Sequence, residues 1–154
     1  MTPPQTPHTS ARRVVVGYDG SAGSRAALEH AVEAAGDDGR VFVVHAYARP
    51  HSWLGHPNHQ ERLDAALDDA EAKIRLLWDE TEGPLARVAW EPEIIGGDPA
   101  KAIADVAAAR HADEIVVGNR RFRLTHALHG GVAGSLIRTA GVPVTVIPPA
   151  AEAA

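Results

Sequence analysis

The 154-residue chain contains no cysteine, one methionine and few aromatic side chains. Without cysteine it can form no disulfide, perform no thiolate chemistry and offer no thiolate ligands to zinc or an iron–sulfur cluster. A chain without disulfides is compatible with the reducing cytoplasm, where we expect this protein. A basic excess is also missing, because the net charge is −5. Nucleic-acid binding driven by charge is therefore not expected. No apolar run approaches the length of a membrane span, so no membrane contact is expected either.

Common catalytic and phosphate-binding motifs are missing as well. The sequence has no G-x-x-x-x-G-K-[ST] loop, no G-x-G-x-x-G after a strand and no G-x-S-x-G turn. Nothing in it pairs a nucleophile with a general base. The sequence therefore predicts that the protein is not an enzyme.

Apolar periodicity is present and predicts alternating strands and helices. The predicted strands cover about residues 13–18, 41–47, 86–95, 114–118 and 142–147. The last of them begins at Val142 and ends at Ile147. The strand at 86–95 is more polar than the other four, which favours a position at the edge of the sheet. This alternation predicts an α/β fold with one parallel sheet and helices on both faces.

Four helices are predicted between these strands. Ser21 is placed to cap the first, Asp98 and Pro99 begin the third, and Gly141 ends the fourth, which covers about residues 131–140. The apolar stripes predicted for the first two helices are Ala27, Leu28, Ala31, Val32 and Ala35, and then Leu63, Leu67, Ala70, Ile74 and Leu77. Residues 11–149 are expected to form one domain, between a disordered tail at 1–10 and a short tail at 150–154.

Two loops follow carboxyl ends of the predicted strands, where open parallel sheets bind ligands. Asp19 comes directly after the first strand, and its carboxylate suits a ribose, a base or a metal, or merely closes an Asx turn. Gly118 ends the fourth strand, and Gly130 and Gly131 precede a helix start that suits a phosphate. These glycines are equally compatible with tight turns.

The loop between Gly118 and Gly130 contains several basic side chains. Arg120, Arg121 and Arg123 match phosphate geometry, although surface arginines are more often simply solvated. His126 and His129 lie in the same loop and can contact phosphate when protonated. Three further histidines, His51, His56 and His59, lack a regular metal-ligand spacing, so a solvated loop is the favoured interpretation there.

Four blocks of the chain, in order, resemble the universal stress protein family. They are VVVGYDGSAGSRAALEHAVEAA, VFVVHAY, GGDPAKAIADVAAARHADEIVVGNRR and GGVAGSLIRTAGVPVTVIP. The resemblance implies an open, doubly wound, five-stranded parallel sheet in the order 3-2-1-4-5, of the adenine nucleotide α-hydrolase type. It also implies a homodimer formed through the last strand. Many members of the family bind ATP, and others do not.

The family's ATP-binding motif is only partly kept. Gly118 matches its first glycine, Asn119 follows, and Arg121 stands in place of the second glycine. The third glycine is either Gly131, followed by Val132, or Gly130, followed by Gly131. On both alignments the hydroxyl residue that follows it is missing.

The adenosine side of the resemblance is better kept. Gly17 and Tyr18 fall on positions that line the base pocket, Asp19 matches the family's aspartate, and Ala46 falls where a backbone contact to adenine is expected. Because this side is kept, the favoured function is a non-catalytic regulatory dimer that binds ATP, with or without Mg²⁺, through a degenerate phosphate loop. The alternative is a nucleotide-free stress-response dimer that acts through protein–protein contacts. A weak ATPase ranks last, because no residue is placed to activate water.

Overall fold

The computed structural model describes residues 11–47, 57–79, 83–119 and 131–148. Its strands are β1 (Arg13–Gly17), β2 (Arg40–Tyr47), β3 (Ala89–Gly96), β4 (Glu114–Gly118) and β5 (Val144–Ile147). Its helices are α1 (Ala22–Ala35), α2 (His59–Asp79), α3 (Pro99–Ala109) and α4 (Val132–Thr139), with a short 3₁₀ helix at Pro84–Arg87. Both predicted tails, and the histidines and arginines of the predicted loops other than His59, lie outside the described residues.

The five strands form one parallel sheet in the order β3-β2-β1-β4-β5. The predicted fold class and strand order are therefore confirmed, with β1 central and β3 at an edge. β1 is fully buried at Val14, Val15 and Val16, as expected for a strand covered on both faces. Because β1 pairs with both β2 and β4, the order of the strands reverses between β1 and β4.

The core has two layers, one on each face of the sheet. α1 and α2 pack on one face, where Leu28 and Ile74 meet Val14 and Val16. α3 and α4 pack on the other, where Ile103 and Leu136 meet Val15. The stripe predicted for α1 is entirely buried. In α2 only Ala70, Ile74 and Leu77 of the predicted stripe are buried, and its other two members, in the first turns, are half-buried.

Two strands begin two or three residues later than the sequence predicts. The third strand was expected at 86–95, but it begins at Ala89, because Pro84 at the first position of the 3₁₀ helix starts a turn that ends at Arg87. The fifth strand was expected from Val142, but it begins at Val144. Pro143 uses its carbonyl to accept a hydrogen bond from the amide of Ile115 and has no N–H of its own for a ladder.

The helix starts agree closely with prediction, and one helix end does not. Ser21 caps α1 by accepting a hydrogen bond from the amide of Ser24, and Asp98 caps α3 through the amide of Lys101. α4 ends at Thr139 with Ala140 as its C-cap, and Gly141 does not have the left-handed φ of a glycine cap. The fourth helix is therefore one residue shorter at each end than expected.

Candidate functional site

A cavity of about 410 Å³ lies at the carboxyl edge of the sheet, beside the point where the strand order reverses. It is lined by Gly17, Tyr18, Asp19, Ser21, Gly23, Ser24, Val44, Ala46, Pro99, Ile103, Val117, Gly118, Asn119, Gly131, Val132 and Ala133. Eight of the ten residues predicted for the site are in this set. The other two, Arg121 and Gly130, lie outside the described residues.

Asp19 is held in a turn between β1 and α1. Its Oδ1 accepts a hydrogen bond from the amide of Ser21 at 2.9 Å, and its own amide donates to Oγ of Ser24 at 3.3 Å. The Asx turn considered from the sequence is therefore present. An ionised carboxylate has about four acceptor sites, so this turn and a ligand hydroxyl can share it. Asp19 is also the one charged lining residue in the part of the chain that the structure describes.

Gly118 ends β4 where the first turn of α1 crosses it. A Cβ at this position would lie 2.5 Å from the backbone carbon and oxygen of Gly23. The sequence suggested that this glycine lets a phosphate approach. The structure shows a second requirement, because only a residue without a side chain lets α1 start against the end of β4. Asn119, the next residue, donates its amide to the carbonyl of Ile147 at 2.8 Å.

Gly131 lies at the start of α4 and also lines the cavity. Its φ of 110° lies in the region that favours glycine. As the N-cap it has no side chain to accept hydrogen bonds from the first amides of the helix, which begins at Val132. Those amides have no partner within the helix, and they carry the positive end of the helix dipole. This helix start is the part of the lining best suited to an anion.

β2, β4 and α3 supply an apolar wall of the lining, to which Val132 and Ala133 of α4 add. Val44 and Ala46 project from β2 on the same face, because side chains two residues apart share a face of a strand. Ile103 of α3 and Val117 of β4 complete this wall. An apolar wall and a helix start in one cavity suit a ligand with a flat, largely apolar part and an anionic part.

Sequence reasoning missed the contributions of α1 and α3. Ser21 was identified only as a cap, and Ser24 and Gly23 were not identified. Pro99 was identified only as a helix start. Since every helix of a parallel α/β sheet starts near the carboxyl ends of the strands, the position of Asp98 and Pro99 in the sequence was a signal that could have placed α3 at the site.

The described residues show neither a metal-binding cluster nor a membrane-spanning helix. No group of three His, Asp or Glu side chains comes together there as a metal site. Of the helices that the structure describes, none combines the length and the apolarity needed to cross a membrane. His59 begins α2, while His51 and His56 are outside the described residues.

Comparison with known proteins gives a family match over most of the chain. The model of the universal stress protein family matches residues 10–148. A universal stress protein of Thermus aquaticus is 31% identical over 138 residues, covering 88% of this chain and 98% of that relative.

Solved structures with the same fold include two nucleotide complexes. A universal stress protein in complex with cAMP has a TM-score of 0.61 and 24% identity, covering 92% of this chain and 100% of the other. A universal stress protein family protein from Arabidopsis thaliana with AMP bound has a TM-score of 0.64 and 19% identity, covering 92% of this chain and 94% of the other.

Proposed function

Because the chain belongs to the universal stress protein family, we propose that it is a non-catalytic regulatory protein that binds an adenine nucleotide, ATP, in the cavity at the carboxyl edge of the sheet. The observation that carries this proposal is the convergence of Asp19, Ala46, Gly118 and Gly131, from four separate segments, on one cavity at the strand-order reversal. The cAMP and AMP complexes of structures with this fold support the same ligand class.

The shape and chemistry of the cavity support this ligand. Its volume of about 410 Å³ is in the range of small-molecule sites, roughly 300–1,000 Å³. The base would lie against the apolar wall of Val44, Ala46 and Ile103, and a ribose hydroxyl would donate to the carboxylate of Asp19. The phosphates would lie at the start of α4, where the amides after Gly131 provide donors.

A regulatory rather than a hydrolytic role is supported by the lining residues. Those that the structure describes include no histidine, lysine or arginine, and their one carboxylate, that of Asp19, is assigned here to the ribose hydroxyl rather than to a water. A general base needs to lie within hydrogen-bond reach of the attacking water. Asp19 is the sole described carboxylate in the lining that would help hold Mg²⁺, so a bound Mg²⁺ would be held chiefly by the phosphates.

A nucleotide-free interaction protein is the second candidate. Arg121 replaces the second glycine of the family motif, and on either alignment a glycine or Val132 stands where that motif has a hydroxyl. A lost hydroxyl contact costs about 0.5–1.5 kcal/mol, which weakens phosphate binding without abolishing it.

In either case we propose a cytoplasmic homodimer formed through β5. This strand lies at the edge of the sheet beyond β4 and carries no charge in Val144–Ile147. An uncharged apolar edge strand invites pairing with another strand. A two-fold contact between identical edges closes on itself and does not propagate.

The nucleotide is tested by analysing what the purified protein carries and what it binds. Mass spectrometry of small molecules released on denaturation should detect an adenine nucleotide. Calorimetric titration of the nucleotide-stripped protein with ATP, AMP and cAMP should give saturable binding, and GTP serves as the control ligand that differs in the base. No binding of any of the three adenine nucleotides would overturn the proposal and favour the nucleotide-free protein.

A further inference from the structure

His45 is a buried histidine next to the cavity but outside its lining. It lies on β2 between Val44 and Ala46, which face the cavity, and its side chain is on the other face of the sheet. The residue is only 4% exposed. A buried polar ring needs hydrogen-bond partners, so its contacts indicate what it does.

The imidazole of His45 holds the carbonyl group of Tyr18. Nδ1 lies 2.7 Å from this oxygen, and because a carbonyl only accepts, Nδ1 carries the proton. The amide of Tyr18 donates to the carbonyl of Val44 at 2.9 Å. β2 therefore fixes both backbone groups of Tyr18, although the regular pairing of β1 with β2 ends one residue earlier, at Gly17 and Val44.

The peptide group that links Tyr18 to Asp19 is consequently held at both ends. Its carbonyl accepts from His45, and its N–H donates to Oγ of Ser24, whose hydroxyl donates in turn to the carbonyl of Ser21 at 3.0 Å. This peptide leads directly to the carboxylate of Asp19 in the cavity. Its orientation sets where that carboxylate and the ring of Tyr18 are presented.

We propose that His45 is a positioning residue for the adenine-nucleotide site: its Nδ1–H fixes, from outside the cavity, the peptide that presents Asp19 to the ligand. The inference rests on the proposed function and adds to it a residue that no ligand contact would identify. A site residue held by a buried hydrogen bond keeps its geometry before the ligand arrives, which avoids an ordering cost on binding.

Two substitutions of His45 separate the hydrogen bond from the packing of the ring. In His45→Asn, Nδ2–H is attached at the same distance along the side chain as Nδ1–H, so the donor is kept while part of the ring volume is lost. His45→Leu fills most of the space but has no donor, which leaves the Tyr18 carbonyl unsatisfied. Val43→Ala is the matched control. Val43 is fully buried on the same face of β2 two residues earlier, and its apolar side chain forms no hydrogen bond with Tyr18.

Calorimetric titration with ATP and AMP compares these variants, and thermal unfolding shows which fraction is folded at the working temperature. We expect His45→Leu to bind both nucleotides about tenfold more weakly, and His45→Asn and Val43→Ala to bind within about threefold of the wild type even where they are less stable. Equal affinity of the folded His45→Leu variant and the wild type would overturn the positioning role.

A spectroscopic measurement tests the hydrogen bond without any nucleotide. In a ¹⁵N–¹H long-range correlation spectrum, His45 should appear as the Nδ1–H tautomer in the free protein. The Nε2–H tautomer would overturn the inference whatever the affinities are. If His45 carries its proton on Nδ1 but the wild type binds neither ATP, AMP nor cAMP, the proposed function is overturned and the role in binding falls with it.

Discussion

Single residues at this site serve the fold and the cavity together. The carboxylate of Asp19 accepts from the amide of Ser21, while Asp19 itself lines the cavity. The sequence raised both roles for Asp19 as alternatives. A carboxylate can accept one hydrogen bond within a turn and another from a ligand. The local sequence therefore cannot decide whether Asp19 closes a turn, binds a ligand or does both.

Gly131 offers a test of the phosphate position at the same scale. A Cβ there would meet nothing within 4 Å, so a side chain has room, but the φ of 110° strains any residue other than glycine. We expect Gly131→Asp to bind ATP at least about tenfold more weakly than the isosteric Gly131→Asn, because only the former brings a negative charge near the phosphates. Both variants carry similar strain, so their comparison in calorimetric titration isolates the charge. Equal affinities would move the phosphates away from this helix start.

At the scale of elements, sequence patterns identified the buried faces better than the ends. The stripe of α1 was predicted residue by residue, because a 3.6-residue period leaves little freedom in which face is buried. The start of β3 was not predicted correctly. Leu85 lies in the 3₁₀ helix and Val88 follows it, and both are buried as they would be in a strand. Short apolar segments fit several backbone conformations, and long-range pairing decides among them.

The contact between α1 and β4 leads to a prediction about stability. Gly118→Ala should lower the free energy of unfolding by about 1–3 kcal/mol, because its Cβ would overlap the backbone of Gly23, which cannot rotate away as a side chain would. Gly141→Ala is the control: its Cβ meets nothing within 4 Å, and a change within about 0.5 kcal/mol is expected. Urea unfolding measures both variants. Equal stability of Gly118→Ala and the wild type would show that the first turn of α1 does not sit rigidly on the end of β4.

For the whole molecule, two kinds of sequence information predicted different things. The alternation of strands and helices predicted a parallel sheet covered on both faces, whereas the strand order came from the family resemblance. The rule that ligands bind at the carboxyl edge located Asp19, Gly118 and Gly131. It could not identify Ile103 or Ser24, because which side chain of a helix reaches a cavity depends on how the helix is rotated against the sheet, and this depends on packing across the whole core.

The edge formed by β5 allows a test of the proposed dimer that leaves the sheet itself intact. The carbonyls of Pro143 and Ile147 accept hydrogen bonds from the amides of β4 and Asn119. Because backbone groups alternate in direction along a strand, the N–H and C=O of Val144 and Val146 point away from β4. These are the groups that a second copy would pair with.

Val146→Pro removes the outward N–H of β5 at the centre of the proposed contact. Proline is tolerated on edge strands where its N–H would face away from the sheet, so the variant should remain folded while the paired edge loses a donor in each copy. Val146→Ala is the matched control, because it shortens the same side chain, which packs against the α3–α4 layer, but keeps the N–H.

In light scattering coupled to size-exclusion chromatography, we expect the mass of two chains for the wild type and for Val146→Ala, and a shift towards one chain for Val146→Pro. A wild-type mass of one chain at micromolar concentration would refute the dimer. A Val146→Pro variant that is as dimeric as the wild type would move the interface away from β5.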